Sequence, residues 1–362
     1  MKWRTLAVCI LAAVTLVACP PDFTPYWKVD KLRVMAIKAD PVVAKYMEPV
    51  TLSALVYAPP GQEVTYDWSW CPIRPSAQND YECFIERDDF QDLIADEEQD
   101  QIPEDIFNLG DGEEAIFVNP FTTEEVRQFC QEIQRRVIEE ADDPELARFL
   151  PGGGCTRGFE VSVRLEVRTD NDYIAATKRF TLWGGDEDHN ENPEFEDFQI
   201  RPAESQHLSR LRDQAGWDVP SGADREDQWV SIYDRDEPLF IVADMPFEIR
   251  GLVDPDSLLT YTPPPPRGQE SEEPDPRVEA LDYRYFTTLG GLSRSSRLFV
   301  DGENTLEEAP ITRFSVSSEQ LDEDCQEPVD GGCQMTLWSV VRDSRLGIDW
   351  IGGELVVQEG DQ

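Results

Sequence analysis

Histidine is almost missing from this 362-residue chain: His189 and His207 are the only two, and each sits in a polar stretch. That scarcity removes a common general base and metal ligand from most of the molecule. Basic residues are also few, 32 Lys and Arg against 74 Asp and Glu, for a formal net charge of −42. So acidic a chain argues against nucleic acid as a partner, because phosphates demand Lys and Arg. It argues equally against adsorption to anionic headgroups. No apolar run reaches the roughly 20 residues of a permanent membrane helix. No Cys-x-x-Cys pair, His-Glu-x-x-His helix, nucleophile elbow or phosphate loop occurs. With 74 acidic residues, a pair of carboxylates carries no weight as a glycosidase signature.

What is present begins at the N-terminus. Lys2 and Arg4 precede an apolar run, residues 6–17, that ends Leu16-Val17-Ala18-Cys19. A positive start, a short apolar core and small residues before a cut are the parts of a secretory signal peptide, here residues 1–18. Leu16-Val17-Ala18-Cys19 resembles the lipobox of bacterial lipoproteins. The resemblance implies acylation of Cys19, which becomes the mature N-terminus and holds the protein to a membrane through its lipid. Pro20, not Asp, follows the cysteine, and by the enterobacterial sorting rule this implies the outer membrane, facing the periplasm or the cell surface. Residues 19–31, with Pro20, Pro21 and Pro25, read as the lipidated cysteine and its tether.

Cysteine usage agrees with export. Cys9 leaves with the signal, and Cys71, Cys83, Cys130, Cys155, Cys325 and Cys333 remain beside Cys19. An even number in an exported chain reads as disulfides. Spacing suggests Cys71–Cys83 and Cys325–Cys333 as loop staples and Cys130–Cys155 as a tie between a helix and the next strand. The pairing Cys71–Cys155 with Cys83–Cys130 stays open as the rival.

Along the chain, short alternating runs dominate. Residues 32–37, 50–57 and 64–70 are three strand candidates, the last placing Val64, Tyr66, Trp68 and Trp70 on one side. Residues 159–167 and 173–183 form a hairpin about Thr169-Asp170-Asn171-Asp172. The second strand and the Tyr66-Asp67-Trp68 core of the third resemble the immunoglobulin-like and PKD-like modules of bacterial surface lipoproteins. We therefore expect a mainly β protein of two immunoglobulin-like antiparallel β-sandwich modules. The first covers residues 32–184 with a partly helical insertion at 73–154, and the second covers 195–362. Residues 185–194 are an acidic, solvated linker between them.

Inside the insertion, Thr122 and Glu125 form a capping box and Phe121 a staple to Val126, opening a helix with Val126, Phe129, Cys130, Ile133 and Val137 as its apolar stripe. A second short helix begins at Asp143-Pro144. In the second module Pro263–Pro266 and the acidic residues after them read as an extended loop. The second half echoes the first. Leu165-Glu166-Val167-Arg168-Thr169-Asp170 stands beside Ser339-Val340-Val341-Arg342-Asp343-Ser344, each a strand ending in Arg at a hairpin turn. The echo places Trp68 and Tyr285 at equivalent core positions.

The one local candidate for a ligand is the acidic run 186–192, where Asp186, Asp188 and Asn190 offer oxygens at alternating positions to calcium. No other cofactor is expected. Function then falls into two classes. The first is a non-catalytic binding or structural scaffold at the envelope, contacting a protein or polysaccharide through loops. The second is a glycan or peptide hydrolase with a site in the insertion. The anchor has a direct test. Cys19→Ala should release the protein from membranes without unfolding it, read by sedimentation and salt extraction; a variant that still sediments with membranes and resists salt removes the lipid reading.

Overall fold

The computed structural model describes residues 24–72, 81, 83, 107–140, 155–185, 190–220, 222–263 and 274–360. Cys19, the helix expected at 143–151, Asp186, Asp188 and most of the proline-rich loop therefore lie outside the described residues.

The first module contributes β1 (Arg33–Asp40), β2 (Val43–Ala44), β3 (Pro49–Tyr57), β4 (Thr65–Cys71), β5 (Asn108–Gly110), β6 (Ala115–Val118), β7 (Phe159–Arg168) and β8 (Tyr173–Leu182). These build a three-stranded sheet in the order β1-β3-β6 and a five-stranded sheet in the order β2-β8-β7-β4-β5. Helix α1 (Thr123–Glu140) lies between β6 and β7 in sequence. Its capping box forms as the sequence suggests. Thr122 Oγ1 accepts from Glu125 N at 3.4 Å, and Glu125 Oε2 accepts from Thr122 N at 2.6 Å. The apolar face then buries Val126 and Cys130 against the sandwich.

The second module contributes β9 (Phe195–Pro202), α2 (Leu208–Ala215), β10 (Val230–Ser231), β11 (Leu239–Val242), β12 (Phe247–Val253), β13 (Thr260–Tyr261), β14 (Arg277–Val278) and β15 (Leu281–Thr287). It continues with β16 (Gly291–Leu292), β17 (Ser296–Phe299), β18 (Thr312–Ser315), α3 (Ser318–Asp324), β19 (Glu327–Val329), β20 (Gly332–Asp343) and β21 (Ile348–Gln358). One sheet runs β10-β9-β12-β18-β16; the other runs β11-β21-β20-β15-β17, with β19 against β20. The protein is mainly β, two modules each built of two mostly antiparallel sheets.

The two modules share a plan. In each, the opening strand pairs antiparallel in one sheet, β1 with β3 and β9 with β12. The chain then crosses to the other sheet, where a short strand runs parallel to the last one, β2 with β8 and β11 with β21. Trp68 faces Leu165 across β4–β7, and Tyr285 faces Ser339 across β15–β20, which are the positions the sequence echo aligns. Both rings are fully buried, and each has its polar atom satisfied. Trp68 Nε1 donates to Gly112 O at 2.9 Å, and Tyr285 Oη donates to Pro310 O at 2.5 Å.

Three cysteine pairs are closed: Cys71–Cys83, Cys130–Cys155 and Cys325–Cys333. The rival pairing in the first module is not the one found.

Three features depart from the sequence reading. Residues 108–118, expected within an insertion, supply β6 as the third strand of one sheet and β5 at the edge of the other. The place of β6 in the sandwich is set by pairing with the distant β3, which no local pattern shows. The tether ends earlier than residue 31, since Val29 is fully buried and Val29 N donates to Thr287 O at 2.8 Å. The third departure is the seam between modules. Val29, Met35 and Ala36 pack with Phe286, Val340 and Ile348 in a core of their own, flanked by Leu55, Tyr57, Trp338 and Trp350.

Trp68→Ala should remove the plug of the first core and leave Gly112 O without its donor, at a cost of about 3–5 kcal/mol. Urea unfolding of the variant checks this, and a loss under about 1 kcal/mol would mean the site collapses around the gap.

Candidate functional site

The seam gathers the polar groups of both modules. Asn192 Oδ1 accepts from Ile348 N, and its Nδ2 donates to Ala39 O, both at 2.9 Å. Asn190 Nδ2 donates to Asp343 Oδ2 at 2.8 Å and to Arg345 O at 3.1 Å. Both asparagines are buried, so this end of the acidic run is packed instead of solvated. The alternation of acid and amide that suggested a calcium loop also suits amides that stitch one backbone to another. Asn190 Oδ1 is buried without a hydrogen-bond partner among the described residues. Among the described residues, no cluster of three or more His, Cys, Asp or Glu is arranged to hold a metal.

The turn after β20 is the centre of this joint. Asp343 Oδ1 accepts from Arg345 N at 2.6 Å and from Gly347 N at 2.8 Å. These bonds hold Leu346 at φ 84°, a backbone region that a branched side chain rarely takes. A Cβ at Gly347 would overlap Asp343 Oδ2 and Glu191 O, so only glycine lets the link lie this close. From the first module Lys178 reaches across and donates to Leu346 O. Burial pushes the Lys178 ammonium down to about 7, against the pull of Asp343 and with Arg342 and Arg179 repelling it. Arg345 lies over the Tyr261 ring at 4.7 Å and pairs with buried Glu279 at 3.3 Å.

Further along the seam, Lys38 pairs with Asp349 at 3.0 Å and Lys28 with Asp324 at 2.7 Å. Tyr57 Oη donates to Gln326 Oε1 at 2.5 Å. Burial first, then Glu327 and Asp30, push the Tyr57 hydroxyl up to about 12, which keeps it a donor. Beside it is a cavity of about 70 Å³ lined by Tyr57, Asp324, Gln326, Glu327, Thr336 and Trp338. Drug-sized ligands occupy about 300–1,000 Å³, so this space suits water.

A second polar cluster sits on the second module, where sequence reading singled out nothing. The guanidinium carbons of Arg201 and Arg250 each lie 4.2 Å from the Trp229 ring centroid. Arg201 pairs with Glu226 at 3.0 Å and Glu248 at 2.9 Å, and Arg225 also reaches Glu248 at 2.9 Å. The Arg201 hydrogen bond holds the Glu226 carboxyl below its ordinary value. The only signal in the sequence was Arg201 and Arg250 on adjacent strands of an acidic chain, and pairing them needs the β9–β12 register. His207 lies 4.0 Å from Glu204; His189 is outside the described residues.

No family model matches the chain, and no curated protein matches it. Among solved structures, three N-terminal domains of the Highly Immunogenic Outer Capsid protein (Hoc) of bacteriophage RB49 are similar at 10% identity and TM-score 0.18, over 91% of this chain and 100% of that one. A Dscam structure addressing isoform specificity is similar at 10% identity and TM-score 0.21, over 91% of this chain and 78% of that one. Scores this low carry no argument, and the fold stands on its own sheets.

Lys178 gives a testable pH dependence. Its folded-state value of about 7 lies below the ordinary 10.5, so between those pH values the unfolded chain binds more protons and stability rises with pH. Lys178→Met should flatten that rise in denaturant midpoints measured from pH 7 to 10; an unchanged slope would mean that the ammonium titrates normally.

Proposed function

We propose that this protein is a non-catalytic binding or structural scaffold of the bacterial envelope, attached through lipid on Cys19 and facing the periplasm or the surface from the outer membrane. The observation that carries this reading is the fate of the charged groups at the seam. Lys178 and Lys38 of the first module are spent on Leu346 O and Asp349 of the second, and Asp343, Arg345 and Glu279 fix the turn that Lys178 meets, so the two sandwiches are held in one orientation. A joint built this way fixes the distance between the surfaces of its two modules. That is what a scaffold needs, and a catalytic site needs groups left free to react. The acidity supports a protein or polysaccharide partner and opposes nucleic acid.

The test uses the anchored protein in intact envelopes. Crosslinking should yield discrete adducts of defined mass, while the purified protein turns over neither glycan nor peptide substrates. Saturable turnover of either class would establish the hydrolase reading instead.

A further inference from the structure

Among the described residues nine large apolar side chains are exposed, and four of them gather about one strand. Tyr46, Met47, Ile116 and Val118 are 49%, 61%, 60% and 42% exposed. Ile116 and Val118 lie on the outward face of β6, opposite Thr51 and Pro49 of β3. Tyr46 bridges Asn119, the residue after β6, and Met47 N donates to Asn119 O at 2.9 Å. The four therefore border one strand. Among the described residues β6 pairs with β3 alone, so its other edge offers backbone donors and acceptors to an incoming strand. Proteins ordinarily blunt such an edge with charge on the strand itself; here the strand carries Ile and Val and the charge lies around it. Glu48, Asp111, Glu113 and Glu114, close in sequence to the patch, are exposed, with half-buried Lys45 as a nearby cation.

We propose that the β6 edge takes an extended, positively charged segment of another protein as an added strand. This rests on the binding-module reading and names the surface and the partner's chemistry. Apolar residues at alternate positions would lie beside Ile116 and Val118, and Lys or Arg between them would meet the acidic rim. A second copy is disfavoured because it would bring the same acids edge to edge on a chain of net charge −42. A four-residue strand makes a small contact, so the complex is weak and weakens further with salt.

The probe is a fluorescent eight-residue peptide of alternating valine and lysine, with a valine–glutamate peptide as its control, titrated against the full-length protein. Anisotropy should report salt-sensitive binding of the lysine peptide alone, with slowed amide exchange at residues 115–118. Ile116→Lys combined with Val118→Lys, both on exposed positions, should weaken binding by about tenfold or more while leaving thermal unfolding unchanged. Equal binding of both peptides, or binding indifferent to the double variant, overturns the proposal. So does self-association that the double variant abolishes, because a second copy then covers the edge. Amides 115–118 already protected in the free protein overturn it as well, because the chain's own residues then close the edge. None of these results touches the scaffold reading, which falls only on turnover in the envelope experiment.

Discussion

The structure depends on one strand having no solvent face. Ile37 and Ala39 of β1 point into the first sandwich, while Met35 and Ala36 point into the seam. Strict alternation would have put Met35 and Ala36 on opposite sides. The β1–β3 register slips between Val34 and Ala36, and this bulge makes Met35 an extra residue that shares a face with its neighbour. The β1 end of a sheet that would otherwise have one wet face thereby lies between two cores. The rest of the joint follows from that placement. Once β1 lies against the second module, Ala39 O and Met35 O lose access to water and must be met by protein groups. Asn192 and Arg342 supply the donors.

The same burial explains where the scarce cations went. Lys28, Lys38 and Lys178 all reach from the first part of the chain to the second module. An exposed ion pair gains little, typically about 0–1 kcal/mol, because water screens it. At a half-buried seam the alternative is a carboxylate stripped of water with nothing facing it, which costs more. Spending lysines there stabilises the joint chiefly by avoiding unpaired charge. The cost falls on the surface, which keeps most of the acids and few cations to balance them.

Much of the architecture was legible in the sequence. Alternation found β3, β4, β7 and β8, and the repeated Arg-ended strands aligned Trp68 with Tyr285 in their true register. The capping box at Thr122 and Glu125 is local chemistry with no need of tertiary context. What escaped reading was non-local. β2 is a two-residue strand whose parallel partner lies far off in the chain, and so short a run holds no period. Asn190 and Asn192 sit in a run of acids whose composition says solvent. Their side chains bond to backbone 153 to 156 residues away, a fact that no window of sequence contains. The Arg201–Trp229–Arg250 stack escaped for the same reason.

The joint also sets how the molecule would stand on a membrane. The chain enters the fold at the seam, where Lys28 bridges Thr287 and Val29 is buried. From Cys19 to Trp27 the chain can extend about 28 Å at most. Lipid on Cys19 would therefore hold the seam, and both modules with it, within that reach of the bilayer. The excess of acids would push the same body away from anionic headgroups. Tether and repulsion would then act in opposite directions. Because the two sandwiches are locked together, they would respond to that pull as one body, with the edge of β6 carried in a fixed direction relative to the anchor point.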